Sequence, residues 1–338
     1  MTDRQTAAQE FLGACGWGAA QRAYLSGDAS DRSYDRLWQN GKTAVLMDAP
    51  PGKGDDPADF IRIADYLRGI GLSAPAIYAR DLAQGFLLIE DLGDDLFARL
   101  LQVDPAREVA LYSAAAGVLR HLHRHPPPAG LPDLSAADWA EAAAFAYDWY
   151  ARAVTGRVPA RRDQFTAVLA AALVAHADGP RVMIMRDYHA ENLLDLPGRE
   201  GMARVGLLDF QLAQMGQPAY DLVSLIQDAR RDVSASAAQA AVAVFARDRG
   251  ESAEDLDRSI AILGAQRALR ILGIFARLCL VAGKPGYVEK IPRVWGQLQA
   301  NLRHPALAEL RALCEADLPP PTPAALERIK EQCAKTSP

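Results

Sequence analysis

The segment MRDYHAENLLDLPGREGMARVGLLDF, Met185 to Phe210, sets oxygen-bearing side chains around two short apolar runs. LLDL (193–196) and RVGLL (204–208) read as strands, and PGREGMA between them supplies turn residues. If the two pair antiparallel, the start of the first lies beside the end of the second. Asn192 immediately precedes the first strand and Asp209 immediately follows the second. Neighbouring strands lie about 4.8 Å apart, so these two side chains can share one cation. An amide and a carboxylate suit a hard ion such as Mg²⁺, which keeps positions for water and phosphate oxygens. Asp187 comes five residues before Asn192, in a loop that would pass the same spot. A carboxylate there can take the proton of a hydroxyl attacking a phosphoryl group. The competing reading is three unrelated loop residues capping strands.

Upstream of this ribbon, residues 3–15 carry apolar positions at helical spacing. QRAYLSG (21–27), RSYDRLWQ (32–39) and TAVLMD (43–48) read as strands, and Asn40-Gly41 joins the last two as a tight hairpin turn. A helix is expected over 57–70, with Pro57 near its start and Gly69 and Gly71 at its end. APAIYAR (74–80) and GFLLIE (85–90) add two strands joined by DLAQG. Five strands with one helix after the third make a small, mostly antiparallel unit, and the class is α+β. Beyond residue 93 the pattern is mainly helical, over roughly 105–124, 135–154, 161–177, 218–229, 236–248, 254–282 and 288–302. The tail ADLPPPTPAALERIKEQCAKTSP holds a Pro-rich linker and a short helix. The expected organisation is an N-terminal lobe over 1–91, a helical lobe over 92–318 and a tail over 319–338, hinged at Glu90–Gly93. A cleft between lobes is the default place for a ligand.

The bulk numbers exclude several classes. Among the 338 residues, 50% are hydrophobic and 23% charged, ordinary values for a soluble globular chain. A net charge of −5 argues against a nucleic-acid partner. No apolar run reaches the roughly 18 residues of a membrane span. The polar start MTDRQTAAQEFLGACGW lacks a secretory block. Cys15, Cys279, Cys314 and Cys333 stand far apart without CxxC spacing, and read as reduced thiols of a cytoplasmic protein. Any metal would be held by oxygen, and no obligate protein partner is evident.

The spacing D-x-x-x-x-N followed by D-F resembles the catalytic and metal-binding loops of the protein-kinase-like superfamily. RDYHAENLL (186–194) and LLDFQ (207–211) resemble more specifically the aminoglycoside phosphotransferase family. GDASDRSYDRL (27–37) resembles that family's phosphate-covering hairpin, in the variant lacking a glycine-rich signature, and LMDAPPG (46–52), GFLLIEDLG (85–93), FAYDWY (145–150) and PAYDLVSLIQDARRD (218–232) together resemble one subgroup of it. That subgroup contains bacterial kinases acting on the anomeric hydroxyl of N-acetylmuramate and N-acetylglucosamine in cell-wall recycling. The resemblance covers about residues 20–300.

The resemblance implies a protein-kinase-like, two-lobed fold with a small antiparallel-sheet N-lobe and a larger, mainly helical C-lobe. It implies ATP and Mg²⁺ as cofactors, Asp187 as catalytic base, and Asn192 and Asp209 as metal ligands. Asp28, Ala29, Ser30 and Arg32 would belong to the hairpin covering the phosphates, and main-chain groups of Glu90 and Leu92 would face adenine. Read without the family, Gly27–Ser30 is either an anion-binding nest or a plain turn.

Two positions depart from the pattern. Met185 stands where a supporting histidine is usual, and Met47 stands near where a phosphate-gripping lysine is expected. Arg32, Arg36 and Lys53 are the nearest cations that could substitute.

On the acceptor side, Arg186 and His189 flank Asp187 and are candidates to reach substrate, or to hold the loop. Tyr147 and Trp149 could stack on a sugar or sit in the core. His121, His123 and His125 do not share a helix face and read as helix-terminal cations rather than a metal site. Asp221 reads as a structural tie to the catalytic loop. Arg258–Arg303 holds eight basic residues against one acid, a poor home for a polycation and a better one for a carboxylated sugar. Asp221 follows Asp209 by only twelve positions, which leaves no platform for a peptide, so the acceptor is small. The expectation is therefore an ATP- and Mg²⁺-dependent kinase of a small sugar. An aminoglycoside or amino-alcohol kinase and a non-catalytic nucleotide-binding protein are the alternatives.

Overall fold

A computed structural model describes residues 3–27 and 32–335, which divide into two compact units. Unit 1 comprises Met1–Ala129 and Ala190–Ala213; unit 2 comprises Gly130–His189 and Gln214–Pro338.

Unit 1 opens with helix α1 (Asp3–Ala14) and strands β1 (Gln21–Gly27), β2 (Ser33–Gln39) and β3 (Lys42–Asp48). Helix α2 (Pro57–Gly69) and strands β4 (Ile77–Asp81) and β5 (Phe86–Ile89) follow, in an antiparallel sheet of order β1-β2-β3-β5-β4. Asn40 and Gly41 have φ of 52° and 72°, the left-handed pair a two-residue hairpin requires, and they set the register Gln39↔Lys42. Phe11 and Leu12 of α1 pack with Leu37, Leu46, Phe86 and Leu88 of the sheet to form a core. Asp56 caps α2 by accepting from the Ala58 N–H, and Pro57 fills the first turn. Helices α3 (Phe97–Val103) and α4 (Glu108–Leu122) complete this stretch.

Unit 2 begins with α5 (Ala136–Ala143), a π-helical turn over Ala146–Ala151, α6 (Arg152–Thr155), α7 (Arg162–His176) and strand β6 (Val182–Ile184). The chain then returns to unit 1 for β7 (Leu193–Asp195) and β8 (Val205–Leu207), an antiparallel ribbon in register Leu193↔Leu207. Unit 1 grips this ribbon on both edges. Leu207 N donates to the Ser73 carbonyl and Asp195 N to the Asp95 carbonyl, each at 2.9 Å.

The rest of unit 2 is β9 (Gln214–Gly216), paired with β6, then α8 (Tyr220–Ile226), α9 (Ala235–Ala246) and α10 (Ala253–Leu280). It ends with α11 (Ile291–Leu302), α12 (Ala308–Asp317) and α13 (Pro323–Lys330). Helix α10 is the core helix. It is long and apolar enough to pass a membrane-span test, against the sequence expectation, but its most apolar window is 83% buried inside the protein. A side chain at Gly273 would bring Cβ within 2.2 Å of the Phe145 backbone, so only glycine lets α10 approach the π-helical turn this closely.

The divisions expected at 91 and 318 differ from these units. Helices α3 and α4 and the ribbon fall in the same unit as the sheet, and the tail helix α13 falls in unit 2. The short pair β6–β9 was not foreseen, three residues being too few to show a period, and neither were helices α3 and α12. A further correction concerns sulfur. Cys279 of α10 and Cys333 after α13 form a disulfide with their Cα atoms 4.8 Å apart, while Cys15 and Cys314 are free. Local spacing could not reveal a pair 54 residues apart.

Candidate active site

In unit 1 the ribbon does what its sequence suggested. Leu208 N donates to the Asn192 carbonyl at 3.0 Å, which extends the pairing one step beyond the strands. The Asn192 amide nitrogen then stands 3.5 Å from Asp209 Oδ2. Which amide atom is nitrogen is an assignment, and a flipped Asn192 turns oxygen to the same spot. Asp209 has φ of 56°, a left-handed conformation that aspartate tolerates better than most residues. The following Phe210 is buried against Phe60 with ring centroids 5.0 Å apart, and so anchors the turn. Gln211 Nε2 donates to Asp209 Oδ1 at 2.7 Å. Arg32, 3% exposed, places Nη2 at 3.5 Å from Asp209 Oδ1 and at 3.5 Å from Asp55 Oδ2. Among the described residues no cluster of three His, Cys, Asp or Glu is present, so a metal here would rely on the amide–carboxylate pair.

The nucleotide-side candidates fall out unevenly. Asp28, Ala29 and Ser30 lie outside the described residues. Glu90 N donates to the Ala76 carbonyl, and its carboxylate accepts from Ala76 N at 3.2 Å and pairs with Arg199. These bonds fix the end of β5 and the segment leading to Leu92, which is half-buried. Met47 is fully buried on β3 opposite Tyr34, so no cation stands on that strand where lysine was expected. Arg36 is committed to Asp91 at 2.9 Å and Asp94 at 2.6 Å. Lys53 is exposed. His121 and His125 are each within hydrogen-bond distance of a main-chain carbonyl, Ile70 at 2.7 Å and His121 at 3.0 Å.

In unit 2 the centre is Asp221 at the start of α8. It is wholly buried and accepts from Met185 N at 2.6 Å and Arg186 N at 2.9 Å. Burial pushes its carboxyl up to about 7, with a further rise from the Asp187 charge, while the two N–H bonds and Arg267 oppose the shift. Arg186 has φ of 72°, a strained conformation that its bond to Asp221 offsets. Asp187 is half-buried, and its N–H donates to the Met185 carbonyl at 2.9 Å. His189 is buried, with Arg230 donating to its Nε2 at 2.8 Å. Burial, reinforced by Arg230 and Arg267, holds its imidazole neutral.

The aromatic candidates are not alike. Tyr147 is fully buried, packs on Phe165 at 4.5 Å between centroids and donates to Asp317 at 3.2 Å. It is a core residue with no exposed face for a sugar. Trp149 is half-buried beneath the Arg277 guanidinium, 5.5 Å from its ring centroid.

Sequence reasoning missed Arg267, which is buried and donates to Ser224 Oγ at 2.9 Å and to the Gln227 carbonyl at 3.1 Å. Its signal was there to be read: a lone cation in the apolar run ILGAQRAL. Also missed was Asp228, buried, whose Oδ1 accepts from Arg230 N at 2.7 Å.

A small antiparallel sheet and a larger, mainly helical part are a kinase-like architecture. The comparisons with known proteins agree. The model of the Phosphotransferase enzyme family (APH) matches residues 22–256, and the chain belongs to that family. It is 37% identical to an N-acetylmuramate/N-acetylglucosamine kinase of Caulobacter vibrioides, over 94% of this chain and 98% of that one. A protein of the same name from Pseudomonas aeruginosa is 34% identical, over 92% of this chain and 93% of that one. Among solved structures, a choline/ethanolamine kinase family protein from Mesorhizobium loti superposes with a TM-score of 0.62 at 17% identity, covering 97% of this chain and 99% of the other. The streptomycin–ATP ternary complex of APH(2″)-IIa superposes with a TM-score of 0.56 at 12% identity, covering 80% and 90%. At those identities the structural likeness speaks for the fold alone.

Proposed function

We propose that this phosphotransferase moves the γ-phosphoryl group of ATP to a hydroxyl of an amino sugar, N-acetylmuramate or N-acetylglucosamine, at the anomeric position. The observation that carries the reading is the ribbon, which brings Asn192 and Asp209 within 3.5 Å of each other five residues after Asp187. That separation is close to the roughly 3 Å between neighbouring ligands on one Mg²⁺, and both residue types are oxygen donors, so the pair fits the ion. Bound there with ATP, Mg²⁺ supplies neutralisation of phosphate charge.

The chain's own groups do the rest. Asp187 orients the acceptor hydroxyl and takes its proton. Asp221 fixes the main chain at Met185 and Arg186, and so sets where the Asp187 carboxylate stands. Glu90 and Leu92 offer main-chain groups to adenine, and the hairpin of Asp28, Ala29, Ser30 and Arg32 covers the phosphates. Arg186, His189 and Trp149 face the acceptor or hold its loop. Positioning and charge complementarity supply most of the acceleration, as phosphoryl transfer generally requires. We place the enzyme in the cytoplasm, in the recovery of cell-wall sugars, with no nucleic-acid or membrane partner. The likeness in sequence to kinases named for these sugars, over nearly the whole of both chains, supports this acceptor above an aminoglycoside or amino alcohol.

The test is incubation with Mg-ATP and a panel of amino sugars, aminoglycosides and amino alcohols. Product from the two N-acetyl sugars is expected. Turnover of only the other classes would replace the acceptor, and ATP binding with no turnover at all would leave a nucleotide sensor. Asp187→Asn should abolish transfer while sparing ATP binding; a variant that still turns over removes Asp187 from its role.

A further inference from the structure

We propose that Arg32 is the cation that grips the triphosphate in this enzyme, with Asp55 as the carboxylate that positions it. The inference rests on the nucleotide half of the reading above and not on the identity of the acceptor. Kinase-type sites place a lysine on the third strand to hold phosphate oxygens. Here β3 offers Met47, fully buried and facing Tyr34 in the sheet register, so no cation stands at that position of the strand. A triphosphate with no fixed cation near it would leave its charge to the metal alone, and unit 1 holds other cations that can take the position.

Of the three cations near in sequence, Arg36 is engaged by Asp91 and Asp94, at 2.9 and 2.6 Å, and the same side chain donates to the Gly93 carbonyl at 3.2 Å. Hydrogen bonding to Asp94 raises the Arg36 pKa further, so the guanidinium is held as a strut on the segment after β5. Lys53 is exposed, on the stretch between β3 and α2. Arg32 alone is both buried and beside a candidate metal ligand. It immediately precedes β2, is 3% exposed, and sets Nη2 at 3.5 Å from Asp209 Oδ1.

A cation buried to that degree is costly unless anions surround it. The two carboxylates on Arg32 stand at 3.5 Å each, longer than the 2.7–2.9 Å typical of a charge-assisted hydrogen bond. One of them, Asp209, is a group that a bound metal would draw on. The other, Asp55, is not part of the ribbon and keeps Arg32 in place when Asp209 turns to the metal. Phosphate oxygens brought in beside Asp209 then meet a planar guanidinium suited to bidentate phosphate contact. The arrangement explains how β3 can bury a methionine and the site still hold phosphate.

The test separates phosphate gripping from mere support of the fold. Calorimetry would measure binding of adenosine and of a non-hydrolysable ATP analogue with Mg²⁺ to the full chain and to Arg32→Gln, Arg32→Lys and Asp55→Asn. Arg32→Gln should bind the ATP analogue about tenfold to a hundredfold more weakly, the loss expected for hydrogen bonds to a charged group, while adenosine binding stays at the wild-type level. Arg32→Lys should fall between, since it keeps the charge and loses the fork. Asp55→Asn should show a smaller loss of the same sign, again confined to the phosphate-bearing ligand. Equal weakening of adenosine and the analogue, or an analogue affinity unchanged in Arg32→Gln, overturns the proposal. If the glutamine variant fails to fold, the lysine variant decides by the same two ligands. Variants that show this pattern, alongside a wild type that phosphorylates no amino sugar, would sink the acceptor assignment and leave Arg32 in place.

Discussion

Asp221 shows how one buried carboxyl can set a catalytic loop and tie its stability to pH. Its two oxygens satisfy the N–H groups of Met185 and Arg186, the second in a left-handed conformation that would otherwise be strained. Desolvation outweighs those bonds, so the folded carboxyl ionises near 7 against an ordinary 3.8. Between these values the unfolded chain has released its proton and the folded chain has not. The group's contribution to stability is therefore present below 3.8, falls as pH rises, and levels off above about 7. The whole interval corresponds to about 4 kcal/mol. Asp221→Asn removes this titration, whatever else it costs. Thermal melts of both proteins from pH 4 to pH 8 are expected to show the wild type losing stability relative to the variant as pH rises. A gap that stays constant would mean that the carboxyl is ionised throughout. The ribbon that sets Asn192 beside Asp209 was legible in the sequence because two short apolar runs joined by turn residues are a local property. Asp55 and Asp228 were not, because what they face is decided by chain folded back from elsewhere.

At the scale of elements, the ribbon is held less by its own three-residue strands than by what surrounds it. Asp195, buried on β7, pairs with Arg204 at 2.7 Å and with Arg107, and these arginines, Arg204 first, hold its carboxyl below the usual range. The hydrogen bonds to Ser73 and Asp95 then fix both edges, which a turn rich in glycine could not do alone. The five-strand sheet and most helices were readable from period and turn chemistry. The π-helical turn at Ala146–Ala151 was not, and it packs against α10, which comes far later in the chain. There Gly273 admits the Phe145 backbone where any Cβ would sit 2.2 Å from a main-chain carbon. Two effects compete in Gly273→Ala. Helix propensity favours alanine by about 1 kcal/mol. Overpacking against a backbone that cannot rotate away opposes it by about 1–3 kcal/mol or more. The second should win, and urea unfolding is expected to give a lower midpoint for the variant. A midpoint equal to or above wild type would mean that α10 and the turn can move apart.

For the molecule as a whole, the tail is the part that composition described least well. Its Pro-rich start read as a linker to a short helix, and that helix, α13, packs in unit 2, where Arg328 reaches the Val154 carbonyl and Cys333 is bonded to Cys279. Cys279 is buried on the core helix, so the bridge fastens the end of the chain to the interior across 54 residues. Closing a loop of that length removes unfolded-state entropy worth up to about 4 kcal/mol in the chain-entropy account. Cytoplasmic reductants would keep the two thiols apart, so the bridge should add to stability only in oxidising conditions. Cys314 is no competitor for either partner, because burial pushes its thiol up to about 12. Alkylation of the denatured, unreduced protein should therefore label two thiols, Cys15 and Cys314, and reduction beforehand should raise the count to the four cysteines of the sequence. Cys333→Ser is expected to lower the melting temperature without reductant and to match the wild type with it. Four labelled thiols in protein purified without reductant, together with no thermal effect of the substitution, would show that the tail is held by packing alone.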